Sequence, residues 1–152
     1  MPKVKITPRE GLVQHPGAGQ VKMRGSAPAL TQKFAAPAEP SGAATITIAN
    51  LLTGILVQDP TTDRAWTLPT NALLQAGMPD PQVGDCFDFA VINTGDAGAD
   101  EIITLSAGSG GTLVGSGAIL TTDPVDNTFS QGSGLFRIRI ASSTAYVCYR
   151  LA

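Results

Sequence analysis

The chain has 152 residues, of which 43% are hydrophobic, enough for one domain with a core and too few for two. Only 14% of the residues are charged and 5% are aromatic, while 17 glycines and 11 prolines separate short apolar runs, a composition that excludes a bundle of long helices. The sequence has no apolar run long enough to span a bilayer and no apolar region behind its first residues, so we expect no membrane partner and no secretory signal.

Charge is divided unevenly along the chain. Residues 1–44 carry six lysines and arginines against two glutamates, a net charge of +4, whereas residues 45–152 carry four arginines against ten acidic residues, a net charge of −6. A basic segment joined to an acidic body suggests that the segment meets a different surface from the one the body shows to solvent. We therefore predict an extended basic Pro/Gly-rich N-terminal arm at 1–44 and a β-rich body at 45–152.

The predicted arm contains six prolines and five glycines and has almost no periodic apolar pattern. Proline removes backbone donors and fixes φ, so we expect an extended segment with at most short edge strands around 3–6 and 20–24. A disordered tail is the alternative that composition offers. An arm that becomes ordered by lying on a partner also explains its scattered apolar residues, which are Ile6, Leu12, Val13, Val21, Met23, Leu30 and Phe34.

The first part of the body predicts three strands and two short helical segments. Strands are expected at 44–48, 55–58 and 64–68, the last with Trp66 and Leu68 on its buried side. A helical turn should occupy 49–54, and a short helix should occupy 69–77, with Thr70 as its N-cap and Gly77 as its stop. We expect this second helix to close one end of a sandwich.

The second half is organised around a strand within 83–94. Phe87, Phe89 and Val91 alternate with polar or small residues, so they share one face, and a face this apolar must be covered by another sheet. Further strands are expected at 101–105, within a glycine-dense run at 108–117, and in a hairpin of 135–140 with 145–151. Seven or eight short strands predict an all-β fold, a β-sandwich or jelly-roll-like body.

No set of residues predicts catalysis or a cofactor. The only histidine, His15, lies in the arm without a second or third catalytic group. Cys86 and Cys148 each fall in a predicted strand, where we expect buried free thiols and neither a disulfide framework nor a zinc site. We predict that the protein is not an enzyme and binds no cofactor.

Two acidic groupings are also weighed and set aside. Asp96, Asp100 and Glu101 could offer oxygen ligands to Ca²⁺, but they lack the spacing of a dedicated calcium loop, and a solvated acidic turn is expected instead. Asp85 and Asp88 have opposite parity on the central strand, so they point to opposite faces and cannot act as a carboxylate pair. No metal site is predicted.

Arginines gather near the end of the chain. Arg137 and Arg139 share one face of their strand, opposite Phe136, Ile138 and Ile140, and Arg150 lies in the neighbouring strand. They could bind a carboxylate or a neighbouring subunit, and we take Arg137, Arg139 and Arg150 as a predicted oligomer interface. The solvated exterior of an amphipathic strand is the alternative.

Six stretches of the body resemble a pattern found in virion structural proteins of tailed bacteriophages and some other large DNA viruses. They are WTLPTNALL at 66–74, QVGDCFDFAVINT at 82–94, ITL at 103–105 with GTLVG at 111–115, and FRIRI at 136–140 with YRL at 149–151. The resemblance implies a β-rich, trimeric module on a particle surface. Among such modules, capsid decoration (cement) proteins fit the basic arm best, although the arm lies outside the resemblance.

The sequence and the resemblance together predict a decoration protein that bridges neighbouring subunits of the major capsid protein. It would be made in the host cytoplasm and reside on the outer capsid surface, with no nucleic-acid partner. A tail, head-fibre or spike module that binds a host glycan or receptor is the alternative. Its only candidate sugar-stacking residues are Trp66, Tyr146 and Tyr149, of which Trp66 is expected in the core. The residues of the arm predicted to contact the capsid are Lys3, Lys5, Ile6, Arg9, Val21, Lys22, Met23, Arg24, Lys33 and Phe34.

Overall fold

Strands make up most of the regular secondary structure of the described residues. The computed structural model describes residues 4–7, 11–14, 35–78, 80–95, 101–120 and 132–152, with the first two segments described by their backbone. The chain divides into two units, Met1–Ala35 and Ala36–Ala152. Among the described residues, no helix combines the length and the apolar character needed to cross a bilayer.

The first unit contains an antiparallel pair of strands. Strand β1 (Val4–Thr7) pairs with β2 (Gly11–Gln14), and the register sets Ile6 opposite Leu12. The short strand expected around 3–6 is confirmed as β1, but its pairing with residues 11–14 was not anticipated, because Gly11 and Gln14 interrupt any apolar alternation there. The second predicted strand, at 20–24, lies outside the described residues.

The second unit is built from two sheets and two short helices, which confirms an all-β, sandwich-like fold. One sheet has five strands in the order β4 (Ile55–Gln58), β6 (Cys86–Asn93), β10 (Ser133–Ser142), β11 (Ala145–Arg150) and β8 (Gly111–Val114). The other has four strands in the order β3 (Ala44–Thr45), β5 (Arg64–Thr67), β7 (Ile103–Ser106) and β9 (Ala118–Ile119).

The inner faces of both sheets meet in one core. Phe89 and Phe136 stack across β6 and β10 with ring centroids 5.5 Å apart, and Trp66 packs from the other sheet. Phe87 is only partly buried because it lies near the start of β6. The predicted core is otherwise confirmed, since the buried cluster contains Trp66, Leu68, Phe89, Val91, Ile103, Leu105, Phe136, Ile138 and Ile140.

Both short helices begin at threonine caps. Helix α1 (Ile48–Leu51) starts at Thr47, whose hydroxyl accepts from the Asn50 N–H while the Asn50 amide oxygen accepts from the Thr47 N–H. The predicted strand at 44–48 is therefore too long, because this reciprocal cap turns the chain into a helix. Helix α2 (Asn71–Ala76) has the predicted N-cap at Thr70 and ends at Gly77.

Helix α2 is fastened to one end of the sandwich by amide side chains. The Gln75 amide donates to the carbonyls of Ser142 and Ser143, both at 3.1 Å, and the Asn71 amide donates to Ser143 at 3.2 Å. These carbonyls belong to the β10–β11 hairpin turn. The expectation that this helix closes an end of the sandwich agrees with these contacts.

Residues 36–44, predicted to belong to the arm, pack with the body. The Ala38 N–H donates to the Ile55 carbonyl at 3.0 Å, and the Val57 N–H donates to the Ala38 carbonyl at 2.9 Å, so this segment covers the free edge of β4. The Trp66 indole N–H donates to the Gly42 carbonyl at 3.0 Å. The division between the two units therefore falls earlier than the predicted boundary at Ala44.

Candidate interaction surfaces

The structure describes few of the arm residues predicted to touch a partner. Lys5 and Ile6 occupy adjacent positions of β1, where the register pairs them with Val13 and Leu12 of β2. The remaining predicted residues lie outside the described part of the chain; they are Lys3, Arg9, Val21, Lys22, Met23, Arg24, Lys33 and Phe34.

Arg137 is already engaged within its own sheet. Its Nε and a terminal guanidinium nitrogen reach the two Asp88 carboxylate oxygens at 2.7 and 2.8 Å, across the β6–β10 pair. The hydrogen bond from Arg137 lowers the pKa of Asp88, and the same bond raises the pKa of Arg137. Both side chains are substantially exposed, so water and salt screen the pair.

The three predicted interface arginines do not share one surface. Arg139 follows Arg137 on the outward face of β10, where it is exposed and stands opposite Cys86 and Val147. Arg150 instead pairs in register with Phe136, on the inward parity. Its guanidinium lies 5.8 Å from the Phe136 ring centroid and donates to the Ala118 carbonyl at 2.6 Å. Arg150 therefore braces the sandwich, and only Arg137 and Arg139 remain on the outward face.

The outward residues of the five-stranded sheet form a surface that we call the outer sheet face. Strand register aligns these residues in rows across neighbouring strands. The rows are Val57, Ile92 and Ser133; Ile55, Ala90 and Leu135; Asp88, Arg137, Tyr149 and Val114; and Cys86, Arg139, Val147 and Thr112.

One end of the outer sheet face is apolar. In the second row, Ile55 is 38% exposed and Leu135 is 40% exposed. Leu151, 46% exposed, extends this row because its N–H donates to the Leu135 carbonyl at 2.7 Å. Together with Val57 and Ile92 in the adjacent row, these residues make a patch without a charged side chain. The Arg137–Asp88 pair borders it.

Our sequence analysis missed this patch, although the sequence carries a signal for it. In 55–57 all three residues are apolar, and in 89–92 both parities of β6 are apolar. A strand with one buried face alternates apolar and polar residues. A strand that is apolar at both odd and even positions indicates that both of its faces are covered. The alternation of Phe87, Phe89 and Val91 alone indicates only the inner face of β6.

The outward residues of the four-stranded sheet differ in kind. They are small or hydroxyl-bearing residues, namely Thr45, Ala65, Thr67, Thr104, Ser106 and Ala118. The Thr67 and Ser106 hydroxyls lie 3.3 Å apart, and the Ser106 hydroxyl also reaches the Trp66 carbonyl. This composition is typical of a solvated sheet face.

The two thiols lie on opposite faces of the five-stranded sheet. Cys148 is fully buried, and desolvation raises its pKa to about 12. Cys86 is exposed, so the prediction that both thiols are buried is wrong for this residue. The reason is parity: Cys86 shares its face with Asp88 and Ala90, not with the neighbouring Phe87.

Two of the three predicted sugar-stacking residues are inaccessible. Trp66 and Tyr146 have no exposed surface. The Tyr146 hydroxyl donates to the Pro69 carbonyl at 3.0 Å and accepts from the Gly108 N–H at 3.1 Å, and burial raises its pKa. Tyr146 therefore ties β11 to the chain before α2 and to the glycine-dense run. Tyr149 remains partly exposed on the outer sheet face.

Acidic and metal-ligating side chains do not converge in the described part of the chain. Within it, no group of three or more His, Cys, Asp or Glu residues could hold a metal ion. His15, Asp96 and Asp100 lie outside the described residues. Glu101 was expected in a solvated turn, but it is buried beside Asn93, whose amide donates to the Glu101 carbonyl at 2.9 Å.

No family model, no curated protein and no solved structure matches this chain. Its function must therefore be argued from the surfaces described above.

Proposed function

We propose that the chain is a viral structural protein, a capsid decoration (cement) protein on the outside of a phage head. Its N-terminal unit would bridge neighbouring subunits of the major capsid protein, and its body would associate as a homotrimer. The protein would be made in the host cytoplasm and end on the outer capsid surface. No catalytic step, cofactor, nucleic acid or membrane enters this function.

The observation that carries the proposal is the division of the chain into two units of opposite charge. With the boundary after Ala35, Glu39 joins the body. The first unit then has six lysines and arginines against Glu10, a net charge of +5, and the second has four arginines against eleven acidic residues, a net charge of −7. A basic unit is attracted to an acidic surface, whereas the acidic body is repelled by the same surface.

A trimer would convert weak contacts into lasting attachment. Contacts made by exposed charges are screened at physiological ionic strength, so one basic segment alone would bind a capsid weakly. Three linked segments bind through effective concentration, which raises the overall affinity without any new contact. Bridging several capsid subunits at once would stabilise the shell.

The jelly-roll-like form of the body stays a prediction. A jelly roll is built from antiparallel strands in two Greek keys. Here the pairs β4–β6, β8–β11, β3–β5 and β5–β7 are parallel. These pairs support a two-sheet body with its own strand order more than a jelly roll.

The alternative function, a tail, head-fibre or spike module that binds a host glycan, is less well supported. It relied on three aromatic residues, and Trp66 and Tyr146 belong to the core. Tyr149 alone could stack on a sugar, and it lies next to the Arg137–Asp88 pair. Specific binding of the body to a glycan array would favour this alternative.

The test is deletion of residues 1–35. The deletion should end there because Ala38 covers the edge of β4, so a longer truncation would damage the body. We expect the truncated protein to stay folded and oligomeric but to lose co-sedimentation with shells assembled from the major capsid protein of the same genome. Full-length protein should bind these shells and raise their melting temperature.

A full-length variant separates charge from the mere presence of the segment. It carries serine at Lys3, Lys5, Arg9, Lys22, Arg24 and Lys33, and we expect it to bind shells more weakly than the wild type. The proposal is refuted if the chain without residues 1–35 decorates shells as well as the full-length protein does.

A further inference from the structure

We infer that the outer sheet face is the surface through which copies of this chain contact one another. The inference rests on the oligomer of the proposed function and adds the face that forms it. It does not depend on what the N-terminal unit binds.

The contrast between the two outward faces is the first argument. Both sheets belong to one body in the same solvent, yet the four-stranded sheet presents threonine, serine and alanine. The outer sheet face presents Ile55, Leu135 and Leu151 in one row and Val57 and Ile92 in the next. Contiguous aliphatic side chains that stay in water lose the favourable free energy that a partner covering them would provide.

The charges identify the partner as a second copy. The apolar patch holds no charged residue, and the Arg137 at its border is neutralised by Asp88 at 2.7 Å. The exposed Arg139 lies in the fourth row, at the opposite end of the face from the patch. Identical patches can therefore meet around a symmetry axis without like-charge repulsion, although the body as a whole is acidic. A basic or acidic partner would gain nothing from this patch, whereas an identical patch matches its apolar character and its size.

The area of the face is adequate. Its strands are 4, 8, 10, 6 and 4 residues long. With a rise of about 3.3 Å per residue and about 4.8 Å between strands, the sheet has a flat area of about 500 Å². Accessible surface exceeds flat area, and a stable contact takes about 800 Å² of accessible surface from each partner. The face can supply most of such a contact.

Strand edges are less suited to this role. Ala38 covers the outer edge of β4. Among the described residues of the second unit, the other strands that end its two sheets are β8, β3 and β9, with 4, 2 and 2 residues. Edges this short offer few backbone groups for pairing. Copies should therefore associate through side chains of the face.

The first experiment compares two charge insertions by light scattering coupled to size exclusion. Leu135→Asp places a carboxylate in the apolar patch, and Thr104→Asp places one at an exposed outward position of the four-stranded sheet. We expect the wild type and Thr104→Asp to run as the same oligomer at micromolar concentration and Leu135→Asp to run as a monomer. Leu151→Ser serves as a milder second variant with a shift toward monomer.

The second experiment maps the contact by thiol labelling. In a Cys86→Ser background the remaining native thiol, Cys148, is buried. A cysteine introduced at Leu135 should react with a maleimide more slowly as protein concentration rises into the range where the oligomer forms. A cysteine introduced at Thr104 should react at the same rate throughout.

Three results would overturn the inference: a wild type that is monomeric at micromolar concentration, an oligomer that survives both Leu135→Asp and Leu151→Ser, or protection of the thiol at Thr104 instead of Leu135. None of these measurements involves a capsid. A monomeric wild type would also remove the trimer and its avidity from the proposed function, whereas the other two results would leave the role of the N-terminal unit untouched. Failure of the truncation test would leave this interface standing.

Discussion

The inner and outer faces of the five-stranded sheet are made by the same strands and have different compositions. Inward, Phe89, Phe136, Ile138, Tyr146 and Cys148 are essentially without exposed surface. Outward, aliphatic residues, an ion pair and a free thiol lie side by side. Chemically similar groups therefore occur on both faces of one sheet.

On this sheet, burial decides more than residue type whether a side chain contributes to the stability of the body or to association. A tyrosine, a cysteine and aliphatic residues occur on the inner face, and the same kinds of residue occur on the outer face. The inner set determines the free energy of unfolding of the body, and the outer set is available for association. Matched substitutions on the two faces test this division.

The largest expected effect is that of Phe89→Ala. Removing this ring empties a core site in stacking contact with Phe136, and such truncations cost about 3–5 kcal/mol of unfolding free energy. The outward counterpart, Val114→Ala, should cost about 1 kcal/mol or less because Val114 is already 46% exposed. Urea titration of both variants is the measurement, and a Phe89→Ala protein as stable as wild type would show that the wrong face has been taken as inner.

A smaller effect is expected of Tyr146→Phe. The hydroxyl satisfies the Pro69 carbonyl and the Gly108 N–H, so its removal leaves both without that partner and should cost about 1–3 kcal/mol. Tyr149→Phe removes the same atom from the partly exposed outer sheet face. In the monomeric Leu135→Asp background water can replace that hydroxyl, so the unfolding free energy should be nearly unchanged there. Equal losses of unfolding free energy in Tyr146→Phe and Tyr149→Phe would contradict the division between the inner and outer faces.

The elements of the body could be predicted from the sequence where they depend on residues close together in the chain. Alternation at 86–92 and the cap chemistry of Thr70 depend on neighbours in the chain, and the structure confirms the inward face of β6 and the start of α2. The reciprocal cap of Thr47 and Asn50 is equally local, but the alternation at 44–48 concealed it.

Other features depend on contacts between distant residues. Nothing in the residues around Ala38 indicates that it would pair with β4, and Glu101 looked solvated because its burial is imposed by other elements. The alternation of apolar and polar residues also carries no information on strand order. The parallel pairs and the separation of Arg150 from Arg137 therefore could not be predicted. The outer patch appears only when register aligns Ile55, Ala90 and Leu135.

The smallest of the three effects concerns alkaline pH and separates the two thiols. Burial raises the pKa of Cys148 from 9.0 to about 12. A group whose pKa is raised on folding contributes stability that is complete below its unfolded pKa and is lost as pH rises toward its folded pKa, because only the unfolded chain then ionises. Between about pH 8 and pH 10 the wild type should therefore lose on the order of 1 kcal/mol of unfolding free energy through this thiol.

The measurement is the unfolding free energy at the two pH values in wild type, Cys148→Ala and Cys86→Ala. Cys148→Ala should not show this loss of unfolding free energy at alkaline pH. Its unfolding free energy at neutral pH should be lower than that of the wild type, because a buried side chain has been shortened. Cys86→Ala should keep the wild-type loss, because it leaves the buried Cys148 in place. An identical pH dependence in wild type and Cys148→Ala would mean that Cys148 ionises as readily in the folded body as in the unfolded chain, and the inner face would then be open to water where it has been described as closed.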